Sequence, residues 1–275
     1  MGAIMRGYKK IILITVLAII LAACMANFQP TNTATPTPTK TAETIYFVAD
    51  TPIGFKLFPE THLVTVEDDV GLAVLKSILE SPIQPRDPDY VNLWSPANTQ
   101  VLSLEVVGNT AIVDLDYGQL NVGAEAEARA IDELMFSLQA VDNSIQKVQF
   151  KVNGEVVETL AGHVDISKSI EVGDGLGVLS NVWIDTPQYE ELITGSLRAK
   201  GFACTFEANV AYELLQHAKV VKSGATTALE GCPTRSPWFI DFGKLEPGNY
   251  TLKVFERSAK DGTLLAVDSK DFLVG

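Results

Sequence analysis

The stretch VLSLEVVGNTAIVDL, residues 101–115, decides the fold of the first half of the chain. Val101 to Val107 and Thr110 to Leu115 are β-rich runs, and Gly108-Asn109 between them is a two-residue turn signal, so the stretch predicts a hairpin. Working downstream, a helix is expected over roughly Val122 to Ala140. Its inner stripe would be Ala124, Ala128, Ile131, Met135 and Leu138, with Glu125, Arg129, Asp132 and Glu133 facing water. Lys147 to Val152 alternates as a strand with one wet face, and Asn153-Gly154 turns it into Glu155-Val156-Val157. Upstream, Asp68 and Asp69 are N-cap candidates before Leu72, Val74, Leu75, Ile78 and Leu79 at helical spacing, and Pro82 stops that helix. Before it, His62 to Val66 reads as a strand and Asp50 to Pro59 as a loop, and order is expected to begin at Ile45-Tyr46-Phe47-Val48. The order ββαββαββ with segregated helices predicts an α+β domain over residues 45–170.

Beyond Val172-Gly173-Asp174-Gly175-Leu176-Gly177 the helical period disappears. The alternate glycines lack a following helix that could hold phosphate, so residues 171–179 are expected to be a hinge. Short β-rich runs then recur at Val182–Ile184, Phe206–Leu215, Trp238–Phe242, Tyr250–Phe255 and Leu264–Val267. Turn chemistry at Ser223-Gly224, Pro247-Gly248-Asn249 and Asp261-Gly262 separates them, which predicts an all-β sandwich over residues 180–275.

The other end of the chain carries an address. Arg6, Lys9 and Lys10 precede an apolar run from Ile11 to Ala23, closed by Cys24, so residues 1–23 are expected to be a secretory signal peptide. The run is too short for a bilayer-spanning helix of about 20 residues. The ending Leu21-Ala22-Ala23-Cys24 resembles the bacterial lipobox, which implies cleavage, acylation of Cys24, and a lipid-anchored protein on the extracytoplasmic face of a bacterial cell membrane. Residues 24–44 are rich in Thr, Pro and Asn and are expected to be a disordered tether with a reach of roughly 60 Å.

Acidic residues number 34 against 21 Lys and Arg, a formal charge of −13; removing Arg6, Lys9 and Lys10 with the leader leaves −16. Such a body is poorly suited to nucleic acid or to anionic headgroups, so lipid on Cys24 is the expected membrane contact. With Cys24 acylated, Cys204 and Cys232 remain as an even pair in an oxidising compartment. They are candidates for a disulfide, the alternative being two free thiols buried in strands.

Several of these stretches carry a family resemblance. Ile45-Tyr46-Phe47-Val48, the helix Leu75 to Pro82, Pro96-Ala97-Asn98-Thr99, Ala111-Ile112-Val113-Asp114-Leu115, and Val148-Gln149-Phe150 with Asn153-Gly154 together resemble the GerMN domain, the sporulation and spore-germination module of bacterial lipoproteins. Ser81 and Asn98 stand where that pattern has glycine; Asn tolerates positive φ. Phe206 to Val210, Pro247 to Leu252 and Val254 to Ala259 resemble the immunoglobulin-like domain that follows GerMN in such proteins. The resemblance implies a non-enzymatic cell-envelope role linked to germination or assembly, with envelope proteins or peptidoglycan as partners; no homo-oligomer is assigned.

A search for chemistry adds little. His62, His163 and His217 have no ligand-like spacing, no metal or other cofactor is expected, and no serine sits in a nucleophile elbow. Asp114 and Asp116 share a strand face and are weighed as an acid/base pair against a solvated edge, which is the preferred reading. Trp183 and Trp238 are assigned to the sandwich core. Trp94, in a proline-bounded loop, is the candidate for glycan contact, which motivates an alternative function as a peptidoglycan- or glycan-binding module.

Overall fold

The computed structural model describes residues 38–275, so the leader, Cys24 and most of the expected tether lie outside the described residues. The chain enters on a long hairpin, β1 (Thr39–Thr51) and β2 (Gly54–Val66). This corrects two expectations: residues 39–44 are strand rather than tether, and 50–59 are strand and tight turn rather than loop. The prolines and Gly54 that suggested a loop have specific places. Gly54 holds φ 96° at the turn. Pro59 pairs with Tyr46, whose N–H turns away from β2 and donates to Ser137 Oγ at 3.0 Å. That geometry makes the pair a non-hydrogen-bonded one, where the missing proline N–H leaves no gap in the ladder.

Helix α1 (Val70–Leu79) starts on Asp69, whose carboxylate accepts from Leu72 N. Strands β3 (Gln100–Val107) and β4 (Thr110–Asp116) form the expected hairpin. Helix α2 (Ala124–Val141) crosses back so that β5 (Lys147–Val152) lies parallel to β4, and β6 (Ile170–Glu171) completes the order β3-β4-β5-β6. The turn at Asn153-Gly154 is present, but beyond it only a single bridge, Val152 to Glu155, is made; 155–157 is not a strand.

The water-facing stripe expected on α2 is wrong at Glu133. Glu133 is fully buried, as is Glu127. The loops at 92–94 and 161–163 lie across the helix, and their backbone N–H groups take those carboxylates: Leu93 N donates to Glu133, and Ala161 N and His163 N to Glu127. Ala124, expected inside, is exposed.

The supposed hinge is pinned. Leu57 N donates to Val178 O, and Ser180 N donates back to Leu57 O, each at 3.0 Å, so the linker extends the β1–β2 ladder. Leu179 and Val172 are buried in the first core. Glycines 175 and 177, at φ 78° and 80°, shape the turn that brings the chain onto β2 rather than loosening it.

The second half is a two-sheet sandwich. One sheet has β7 (Val182–Thr186), β9 (Ser196–Ala203) and β12 (Ser236–Lys244) in the order β12-β9-β7. The other has β8 (Leu192–Ile193), β10 (Asn209–Gln216), β11 (Lys219–Thr227), β13 (Gly248–Arg257) and β14 (Leu264–Val274), ordered β11-β10-β13-β14-β8. Trp238, Leu252, Val254 and Val210 fill the space between. Cys204 and Cys232 are joined by a disulfide, their Cα atoms 4.5 Å apart and 28 residues apart in sequence.

Closing a loop of that length restricts the unfolded chain by about 3.5 kcal/mol in the loop-entropy description. Replacing both cysteines with serine is expected to lower unfolding free energy by roughly that amount, read from urea midpoints.

Candidate functional site

The chemistry-bearing residues of this chain gather where the two domains meet. The first domain brings the loop after α1. Glu60 on β2 accepts from Arg86 N at 2.9 Å and Asp87 N at 3.0 Å, and His62 Nε2 lies 2.7 Å from the same carboxylate. Although burial alone would raise the Glu60 pKa, these hydrogen bonds outweigh it and hold the group below its ordinary value. The loop so fixed presents Asp87 and Tyr90, with Tyr90 stacked on Phe58 at 4.7 Å between centroids.

The second domain brings β14, whose inward face carries Asp268 and Lys270. Lys270 Nζ donates to Asp87, to the Tyr90 hydroxyl and, at 3.0 Å, to Asp268. Tyr90 in turn donates to Asp268 at 2.8 Å, and the other Asp268 oxygen accepts from Ile184 N at 2.7 Å. All four side chains are buried. Burial pulls the Lys270 pKa down, but Asp268 and Asp87 more than offset this and raise it, so the ammonium stays charged. Two carboxylates therefore share one ammonium, with the phenol bridging Lys270 and Asp268. Burial raises the Asp87 pKa against the pull of Lys270.

Beside this seam opens a cleft of about 540 Å³. Tyr46 and Thr44 of β1 and Pro59 to Thr61 of β2 form one wall. Trp183 to Thr186 of β7, Lys200 and Phe202 of β9, and Arg235 form the other, with Arg86 at the rim. Trp183 is held by its neighbours: its ring lies 5.8 Å from Phe202 and its Nε1 donates to Asp185 at 3.0 Å. It is placed by Gly201, where an added Cβ would fall 1.9 Å from Trp183 O and 2.6 Å from the Trp238 ring. The Arg235 guanidinium covers the Trp183 ring at 4.6 Å and donates to Ser180 O at 2.6 Å. Burial lowers its pKa to about 10.

Of the residues singled out from sequence, His62 sits at the seam and Trp183, expected in the sandwich core, packs with the first core and lines the cleft, while the others fall elsewhere. Trp94 is fully buried and its Nε1 donates to Ala130 O at 2.8 Å, so it cannot stack on a glycan. The proline-bounded loop that carries it folds inward against α2. Asp114 accepts from Gly154 N at 2.9 Å, a turn-holding contact, while Asp116 is exposed. His62 is engaged by Glu60, the His163 ring nitrogen lies 2.9 Å from Glu127, and His217 sits in a turn at φ 51°. Among the described residues there is no cluster of three His, Cys, Asp or Glu suited to a metal ion. Sequence reasoning missed Lys270, Asp268, Asp87 and Arg235. The available signal was Asp268 and Lys270 themselves, two charges on the inward side of an alternating strand.

Removing Lys270 would leave two buried carboxylates without a counter-charge. Lys270→Ala is expected to cost about 3–5 kcal/mol, read by urea denaturation, and to broaden or split the transition as the domains part. Glu133 gives an independent pH test. Burial pushes its carboxyl well above the ordinary 4.5, and the Leu93 N–H only partly opposes this. Folding therefore favours the protonated acid, and stability falls as pH rises above the unfolded value. Glu133→Gln is expected to melt higher than wild type at pH 8, with the gain shrinking as pH falls towards 4.5.

Comparison with known proteins agrees with this two-part architecture. Residues 38–158 match the family described as sporulation and spore germination, and residues 181–263 match the immunoglobulin-like domain of bacterial spore germination. No curated protein sequence matches. Similar solved structures include a protein of Clostridium perfringens assigned as a lipoprotein, at 21% identity and TM-score 0.32, covering 51% of this chain and 93% of that one. The tandem GerMN domains of the sporulation protein GerM from Bacillus subtilis are similar at 13% identity and TM-score 0.39, over 54% of this chain and 50% of theirs. CopC from Methylosinus trichosporium OB3b is similar at 18% identity and TM-score 0.26, over 34% of this chain and 92% of CopC. Among the described residues no helix is long and apolar enough to cross a membrane. The chain thus carries a stretch that matches the sporulation and spore germination domain, followed by one that matches the immunoglobulin-like domain of bacterial spore germination.

Proposed function

We propose that the protein is a non-enzymatic, lipid-anchored component of the bacterial cell envelope that holds partners together during spore formation or germination. The observation that carries the assembly reading is a pair of open sheet edges. β3 closes one side of the first sheet and exposes Leu102, Val106 and Val107. β11 closes one side of the sandwich and exposes Val220 and Val221. Free edges are normally blunted with charge or proline, because an unpaired strand invites another strand to add. Here charge is present, Lys219 and Lys222 on β11 and Glu105 on β3, but each edge still exposes a Val-Val pair beside it, the chemistry of partner binding by β-addition.

Anchoring rests on the leader and on Cys24. A thioether-linked diacylglycerol with a further acyl chain supplies the two-signal attachment that a single chain cannot. The acidic body adds no attraction to anionic headgroups, so lipid alone would hold the protein at the membrane.

Two experiments test these halves separately. Cys24→Ser is expected to move the protein from the membrane fraction to the soluble fraction with its melting point unchanged; full retention in the membrane removes the lipid reading. Crosslinking of the intact protein in its own membrane is expected to capture envelope proteins through β3 or β11. Val106→Lys combined with Val220→Lys should abolish that capture while shifting stability by no more than about 0.5 kcal/mol. Undiminished capture by the double variant sinks the β-addition reading.

A further inference from the structure

We propose that the interdomain cleft beside Trp183 is a binding site for a small organic acid, one carboxylate or phosphoryl group on a body of sugar-ring size, with Arg235 as its principal anion contact. Size and position fit: pockets of about 300–1,000 Å³ at domain junctions are where small ligands bind, and this one encloses about 540 Å³.

The charge arrangement gives the ligand its sign. In a chain with 34 acidic and 21 basic residues, three cations that make no ion pair among the described residues line this one cleft: Arg86, Lys200 and Arg235. Two carboxylates also line it, but both are engaged. Glu60 is taken up by His62 and two backbone N–H groups. Asp185 accepts from Trp183 Nε1 and lies within electrostatic reach of Lys200 and Lys270, so Lys200 is the cation it offsets and Arg235 is left facing the open cleft. The fourth cation, Lys270, is outnumbered by its two carboxylates, Asp87 and Asp268, and is not free for a ligand.

Arg235 is the most firmly placed of the three. Arg86 donates to Gln188 at the rim and Lys200 is exposed, while Arg235 is fixed by two contacts and has Tyr46 and Asp174 within electrostatic reach. Its guanidinium is half-buried, one nitrogen is spent on Ser180 O, and the face is laid on Trp183. Its remaining donors have no protein acceptor among the described residues. A guanidinium fixed in this way is pre-organised for a two-oxygen anion, because the planar fork loses little freedom on pairing. The half-buried rings of Tyr46 and Phe202 and the hydroxyls of Thr44 and Thr186 surround it with apolar faces and hydroxyl partners suited to the rest of such a ligand.

The site is independent of the anchor and of the sheet edges, so its test can fail without touching either. Isothermal titration of the full-length protein in detergent uses three probes: N-acetylmuramic acid, glucose 6-phosphate and neutral N-acetylglucosamine. At least one acid is expected to bind about tenfold or more tighter than the neutral sugar, and the tighter acid identifies whether carboxylate or phosphoryl chemistry is preferred. Arg235→Gln should weaken that acid about tenfold or more, and the exposed Lys200→Gln a few-fold. Lys219→Gln, on the remote edge strand, should change nothing. If Arg235→Gln does not fold, the Lys200→Gln and Arg86→Gln affinities decide in its place. The proposal is overturned if neither acid binds at millimolar concentration, if the neutral sugar binds equally well, or if the cleft variants that fold retain wild-type affinity.

Discussion

A buried ammonium sets the terms for the rest of this molecule. Lys270 cannot be enclosed without counter-charges, and the two it has come from different domains: Asp268 from its own strand and Asp87 from the loop after α1. The desolvation of three charges is recovered only when the geometry is complete, with Tyr90 bridging and Ile184 N filling the last carboxylate oxygen. Such a set specifies one relative placement of the domains more sharply than it stabilises it. Hydrophobic contact alone would tolerate sliding, whereas this network does not.

The linker acts in the same direction. A Gly-rich connection suggests freedom, but the free backbone groups of Leu57 on the outer edge of β2 capture it at Val178 and Ser180. The hairpin edge that could have been left open is thereby used to bind the linker, and the cleft beside it acquires fixed walls. Rigidity at the seam and openness at β3 and β11 are complementary. On the assembly role proposed above, a rigid seam would hold the two edges at a set separation.

Much of the first domain was legible because its signals are local. Asp69 before a leucine-rich period, Gly108-Asn109 between β-branched runs, and the alternation of Lys147 to Val152 each state their structure within a few residues. The long entry hairpin was not, because Pro52, Gly54 and Pro59 are loop signals unless the phase of the ladder is known. Glu133 looked like part of a solvated helix face, since nothing in the helix reveals that loops 30 to 40 residues away in sequence will cover it and Glu127. Trp94 failed for the same reason: a proline-bounded loop is exposed by default, and only tertiary packing turns its indole to Ala130. The cleft itself is assembled from segments more than 150 residues apart, from Thr44 to Arg235, and no window of sequence contains it.

The pinned linker and the buried lysine also govern how the protein comes apart. Because the same hydrogen bonds and charges belong to both domains, opening either one exposes unpaired groups in the other, so the two are expected to exchange their slowest amides with a common protection. The Cys204–Cys232 link restrains only the sandwich in covalent terms. Through the seam its effect extends to the entry hairpin, and redox state in the second domain becomes a determinant of protease resistance in the first.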